Sequence, residues 1–199
     1  MTDGHPAADA APARTLTLHL VRHGETAWNA ERRFQTPDVP LSDLGREQAR
    51  AVAETLAETA RPGALLASDY ARAWETAQII GGRLQLAPAP EPLLRERNFG
   101  IARGRLYADI GEETLALWRN PHTRIEGGES WADVFERART LLAKLRTMPA
   151  ADEIVLVSHG GTISVILALL EGTAVEDFRV APLENCALRT VALPPATSH

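Results

Sequence analysis

The sequence predicts an α/β fold built on a largely parallel sheet, and three observations carry that expectation. Segments rich in β-formers alternate along the chain with segments of helical periodicity. One of the strands, Glu153 to Ser158 (EIVLVS), is apolar without polar alternation, as strands buried on both faces of a parallel sheet are. Two strands also end alike: His19-Leu-Val-Arg22-His23-Gly24 near the start and Val155-Leu-Val-Ser158-His159-Gly160 near the end. In an open parallel sheet, ligands bind beyond the carboxyl ends of strands, where the strand order reverses. The echo therefore places His23 and His159 side by side, with each glycine letting the backbone turn and approach a ligand.

Taken in order, Thr15 to Val21 (TLTLHLV) reads as the first strand, with His19 inside it as a core or pocket-edge histidine, the core reading preferred. Ser42 caps a helix whose Leu44, Val52 and Leu56 recur on one face beside Ala49 and Ala53. Ala64 to Ala67 is a short strand, and a helix runs from about Ala71 until Gly81-Gly82 ends it. The Pro-rich stretch from Ala87 to Pro92 excludes a central strand or helix. Ser130 and Asp133 have capping-box spacing, and the helix they open carries Val134, Ala138, Leu141, Leu142 and Leu145 on one face. After the strand at 153–158, Gly161 to Leu170 is a helix apolar all round, hence buried.

The chain has 199 residues, 45% hydrophobic and 24% charged, which suits one domain with a sizeable core. Its formal net charge of −5 gives no general attraction to nucleic acid or anionic membrane, so any bound anion must be held by local Arg and His. Cys186 is the single cysteine, which excludes an internal disulfide. Residues 1–14, rich in Ala and Pro, read as a disordered lead-in without a signal-peptide core, 15–192 as the domain, and 193–199 as a tail. The longest apolar stretch, Ile163 to Leu170, is too short to span a bilayer, and the expected location is cytoplasmic.

Leu20-Val21-Arg22-His23-Gly24-Glu25-Thr26-Ala27-Trp28-Asn29 resembles the signature of the histidine phosphatase superfamily, the phosphoglycerate-mutase-like enzymes. The resemblance continues, in the family's order, through Pro40 to Gly45, Ser68 to Ala73 with Thr76-Ala77, Leu94 to Gly100, Gly127 to Ser130, and Val157 to Gly161. It implies a three-layer αβα sandwich and a metal-independent phosphatase acting through phosphohistidine, with no cofactor. His23 would be the nucleophile, its second ring nitrogen held by a backbone carbonyl to fix the tautomer. Arg22, Arg72, Asn29, His159 and Gly160 would surround the phosphoryl group, and Glu96 would be the general acid, then the base that activates water. A phosphate monoester is close to a dianion at neutral pH, so these forked, permanently charged arginines suit the need. They also oppose protonation of His23.

Around that core, Glu25 is expected to orient its loop, Trp28 to pack or border the pocket, and Thr162 to cap the last helix or leave free amides for an anion. Arg95 and Arg97, flanking Glu96, are expected to face solvent or substrate. The chain departs from the family in Phe34-Gln35-Thr36-Pro37-Asp38, which lacks a glycine after the glutamine. It also reads Ala102-Arg103-Gly104 where many phosphatases have Trp-Glu-Gly. Arg103 and Arg105 could meet a second negative charge on the substrate or face water. The expected partner is a small phosphate monoester, and the sequence leaves room for a homodimer. Two rivals stand beside the phosphatase: a phosphoglycerate mutase, disfavoured because Gly100 to Val157 is compact, and a non-catalytic phosphate or phosphopeptide reader.

Overall fold

In a computed structural model describing residues 14–148 and 151–196, seven helices and five strands alternate as the sequence anticipates. In chain order they are β1 (Leu16–Arg22), α1 (Ala27–Ala30), α2 (Asp43–Thr59), β2 (Ala64–Ala67), α3 (Ala71–Leu84) and β3 (Ala89–Pro90). There follow α4 (Tyr107–Ile110), α5 (Glu112–Arg119), α6 (Trp131–Arg146), β4 (Glu153–Ser158), α7 (Gly160–Leu170) and β5 (Leu188–Leu193). The strands form one sheet in the order β3-β2-β4-β1-β5, parallel throughout except for β5. The Pro-rich stretch supplies only the two-residue edge strand β3, where a missing amide costs no central ladder bond.

Side chains alternate across this sheet and split the core in two. Val21, Leu65, Val155 and Val157 meet Val52 and Leu56 of α2 and Ala77 and Ile80 of α3. Leu18, Leu20, Ile154 and Leu156 meet Phe135 and Leu141 of α6 and Ile163 and Ile166 of α7 on the other face. This is the expected three-layer arrangement. Truncating a fully buried residue such as Leu156 to Ala should cost about 2–5 kcal/mol. Of the helices that follow these strands, α2 after β1 covers one face and α7 after β4 the other, so the chain parts at the carboxyl ends of these neighbouring strands and opens a crevice there.

Four expectations need correction. Leu44 does not share the buried stripe of α2: it is 49% exposed, and Gly45 and Ala49 take its place in the stripe. Gly81 and Gly82 lie inside α3, which ends at Gln85 in the left-handed conformation (φ 58°). A Cβ at Gly81 would strike the Leu86 carbonyl, so this glycine serves the returning chain rather than the helix end. Leu193 belongs to β5 and is fully buried, so the ordered domain runs beyond 192. Thr162 lies inside α7, whose N-cap position is His159. The expected lead-in over 1–14 lies outside the described residues except for Arg14, whose guanidinium meets Asp152 at 2.9 Å; residues 197–199 of the expected tail are likewise not described.

Candidate active site

The register of the central strands builds the site. Arg22 of β1 lies opposite Ser158 of β4, so the next residues, His23 and His159, emerge together, their ring centroids 5.1 Å apart. The His23 amide donates to the Ser158 carbonyl at 2.9 Å, extending the ladder to the site's floor. A Cβ at Gly24 would strike the Gly45 carbonyl at the start of α2; its φ is not positive, so it allows close packing rather than a sharp turn.

His23 is 3% exposed, and its Nδ1 lies 2.7 Å from the Gly24 carbonyl. A carbonyl only accepts, so Nδ1 carries the proton and Nε2 holds the lone pair. Arg72, in the first turn of α3, donates through Nε to that Nε2 at 3.2 Å and through a terminal nitrogen to the Thr36 carbonyl at 3.0 Å. Burial, followed by the Arg72 and Arg22 charges, pushes the His23 pKa well below the usual histidine value. Arg72 is itself lowered to about 10 by burial and stays charged. Arg22 donates to the Leu183 carbonyl, leaving its Nε buried and unpartnered.

His159 is fully buried, with Nε2 2.9 Å from the Ser68 hydroxyl and Nδ1 unpartnered. Burial, then Arg72, holds its pKa well below normal. Gln35 Oε1 is the third buried side-chain polar atom without a partner among the described residues. Unpartnered Arg22 Nε and His159 Nδ1 beside His23 are groups that a bound oxyanion would satisfy.

Asn29 reaches the cavity from α1, where Thr26 is the N-cap. Its Oδ1 accepts from the Thr26 amide and hydroxyl, both at 3.1 Å, and no bond engages its Nδ2 among the described residues. Glu25 does orient its loop: its side chain accepts from Ser42 Oγ at 3.0 Å, and its amide donates to Gln48. Trp28 packs under the Arg33 guanidinium, 5.3 Å from the ring. His19 is structural, bound to Glu153 and Thr190.

Glu96 lines the same cavity as His23. One carboxylate oxygen accepts from the Gly161 amide at 3.0 Å, the other from Arg97 at 2.9 Å and Thr162 at 3.2 Å. It thereby closes the amino end of α7. A Cβ at Gly161 would sit 2.6 Å from Glu96 Oε1, which explains the glycine. Gly160 lines the same cavity, with Arg22 beside it. Thr162 donates its hydroxyl to the Arg95 carbonyl at 2.7 Å, so it braces this segment rather than capping a helix or leaving an amide free.

The arginines beside Glu96 are not free. Arg97 is 3% exposed, donates to the carbonyls of Glu129, Trp118 and Thr123, and lies over the Trp131 ring at 4.6 Å. Arg95 grips Asp69 through two bonds. Arg103 donates to the Tyr70 hydroxyl at 3.0 Å, and Arg105 to the Asp109 carbonyl.

The cavity, of about 1500 Å³, far exceeds a phosphoryl group. Much of its outer wall is α4 and α5, contributing Tyr107, Leu115 and Trp118. The span from Gly100 to Val157 is therefore less bare than expected, because two short helices stand over the site. Sequence reasoning also missed Ser68, which holds His159, and Asn185, whose side-chain amide donates to the His23 carbonyl at 3.0 Å. Ser68 begins a quoted family segment, but Asn185 sits in a loop with no pattern to mark it. Among the described residues, no group of three or more His, Cys, Asp or Glu could hold a metal ion, and no helix is long and apolar enough to cross a membrane.

The family model described as histidine phosphatase superfamily (branch 1) matches residues 18–197. An Arabidopsis thaliana protein named "Phosphoglycerate mutase-like protein 4" is 39% identical over 72% of this chain and 66% of its own length. A Yersinia pestis protein named "Probable phosphoglycerate mutase GpmB" is 34% identical over 88% of this chain and 84% of its own. A solved mycobacterial glucosyl-3-phosphoglycerate phosphatase, in complex with VO3, superposes with a TM-score of 0.80 at 33% identity, covering 88% of this chain and 90% of that one.

Proposed function

Since the chain belongs to the histidine phosphatase superfamily, we propose that it is a phosphatase that hydrolyses a small phosphate monoester through phosphohistidine at His23. The observation that carries this reading is the neutral His23 tautomer, its Nδ1 proton on the Gly24 carbonyl and its Nε2 lone pair facing Arg72. In the first step, Nε2 attacks phosphorus as the Arg72 donor moves from that nitrogen to a phosphoryl oxygen. Arg22, Asn29 and His159 hold the remaining charge, which is most of what phosphoryl transfer requires. Glu96 gives its proton to the leaving alkoxide, then takes one from the water that attacks phosphohistidine, and inorganic phosphate departs. The positive charge is supplied by arginine, so no metal is assigned a step.

Hydrolysis is favoured over mutase chemistry because the cavity is wide enough to admit water beside a bound phosphohistidine. The mutase reading draws on the names of the two curated relatives and on the wall formed by α4 and α5. Phosphate release from a panel of monoesters in excess chelator tests the proposal, with quenched enzyme examined for an acid-labile phosphoramidate. Release with trapped phosphohistidine supports it. Isomerisation of phosphoglycerates without release would favour the mutase, and phosphate binding with neither reaction would favour a non-catalytic reader.

A further inference from the structure

The sequence offered Arg103 and Arg105 for a second negative charge on the substrate, but their guanidinium groups are bound to Tyr70 and Asp109 and neither residue lines the cavity. Other lining cations are also engaged: Arg33 with Glu31 at 2.9 Å, Arg119 with Glu112 at 2.7 Å, and Arg97 with carbonyls. Arg32 differs. It lines the cavity from an exposed position, and no side-chain hydrogen bond or ion pair engages it among the described residues.

Its backbone explains how it comes to stand there. Arg32 has φ 55°, a left-handed conformation unfavourable for a residue with a Cβ and concentrated at functional positions. Its amide donates to the Asn29 carbonyl at 3.1 Å, and its carbonyl accepts from the Tyr107 amide at 2.9 Å. The same strained residue therefore joins the loop carrying Asn29 to the outer wall. Tyr107 packs its ring 4.1 Å from that of Phe34, and its hydroxyl has no hydrogen bond among the described residues. Tyr107 lines the same cavity as Arg32 and as Arg22 and Arg72 of the phosphoryl cradle.

We propose that Arg32 and Tyr107 form a second anion subsite at the rim, and that the substrate is a phosphate monoester whose alcohol carries another acidic group. The inference rests on the phosphatase reading for which group is transferred, but not for whether the second group binds. Arg32 would supply a forked, charged donor suited to a carboxylate or a phosphate, and Tyr107 a second, neutral donor on the same cavity wall.

Matched ligand pairs test it by calorimetric binding in a His23→Ala background, where turnover does not consume the probe. One pair is 3-phosphoglycerate against glycerol 3-phosphate, and the other fructose 1,6-bisphosphate against fructose 6-phosphate. Preference for the doubly acidic member of at least about tenfold is expected in one pair, and which pair shows it distinguishes carboxylate from phosphate. Arg32→Asn, which keeps a side chain tolerant of left-handed backbone, should erase that preference while leaving the singly charged member within about twofold. Tyr107→Phe should reduce it by a smaller factor, since the ring packing survives. Equal affinities within both pairs, or Arg32→Asn weakening both members alike, would overturn the subsite. Absence of phosphate release by wild-type enzyme would instead overturn the phosphatase reading and leave these binding results standing.

Discussion

The floor and the outer wall of the cavity are built on opposite plans. The floor is assembled from strand ends and helix starts: His23, Arg72 and His159 are almost wholly buried, and the β1–β4 register fixes the two histidines. The wall of α4 and α5 contains no buried residue at all. It is joined to the rest through backbone bonds such as Tyr107 to Arg32, Phe34 to Arg105 and Gly104 to Phe34. Groups in the floor are desolvated, so each charge acts strongly and small displacements are costly. The wall is solvated and can change without disturbing the core. Reaction class would accordingly reside in the floor and substrate choice in the wall.

The largest expected effect breaks the floor at its centre. His23→Ala should lower phosphate release about 10⁴-fold or more, since it removes the attacking atom itself, while the fold survives because His23 belongs to neither of the two apolar clusters on the sheet. Steady-state release and a thermal melt of the same preparation check both halves. Persistence of more than a hundredth of the activity would remove His23 from the nucleophile's role.

Glu96→Gln comes next. It keeps the carboxamide near the Gly161 and Thr162 amides but loses the transferable proton, so esters of poor leaving groups should slow about 10²–10⁴-fold. p-Nitrophenyl phosphate, whose leaving group needs little help, should slow far less. Equal losses on both esters would assign Glu96 to positioning alone.

A smaller effect is expected one layer behind. Arg137 of α6 pairs with Glu129 at 3.0 Å, donates to the Leu93 carbonyl at 2.8 Å and approaches Thr162 Oγ1 at 3.5 Å. Glu129 in turn accepts from the Asn98 amide at 2.7 Å. These bonds clamp both sides of Glu96 without touching the cavity, so Arg137→Met should cost about tenfold, again mainly on poor leaving groups. A purely structural role would lower the melting temperature and slow both esters equally.

The floor was largely legible in the sequence because its chemistry is carried by contiguous runs at the ends of regular elements. The repeated His-Gly after two apolar strands anticipated their pairing, and Ser42 and Ser130 marked helix starts by cap chemistry alone. The wall was not legible. Residues 107–119 form two short helices with no buried stripe, so no periodic signal announces them. Arg97 misled for a related reason: alternation places a flanking residue on the other face of an extended segment, but does not say whether protein or water lies there. Here it is protein, with three carbonyls to receive the guanidinium. Arg32 was equally silent, since a left-handed backbone at an arginine follows from tertiary bonds rather than from its residue type.

The subtlest contrast between floor and wall lies in stability against pH. His23 and His159 both have folded pKa values well below 6.5, so the folded state leaves them neutral where the unfolded chain protonates them. Below about pH 6.5 the unfolded state binds more protons, and stability must fall as pH falls. Each histidine contributes a slope of up to about 1.4 kcal/mol per pH unit between its unfolded and folded values. Above that window both are neutral in either state and the contribution is flat. The depressed carboxylates Asp69, Asp133 and Glu153 add their own loss only nearer pH 4, as pH falls past their unfolded values. Urea unfolding of wild type and His23→Gln between pH 7.5 and 5 isolates the histidine effect. The substitution should remove up to one proton's worth of slope, while Leu115→Ala in the wall should leave the slope unchanged. An unaltered slope in His23→Gln would mean that His23 takes up its proton in the folded protein as it does in the unfolded chain, and would overturn the neutral Nε2 read from its bond with Arg72.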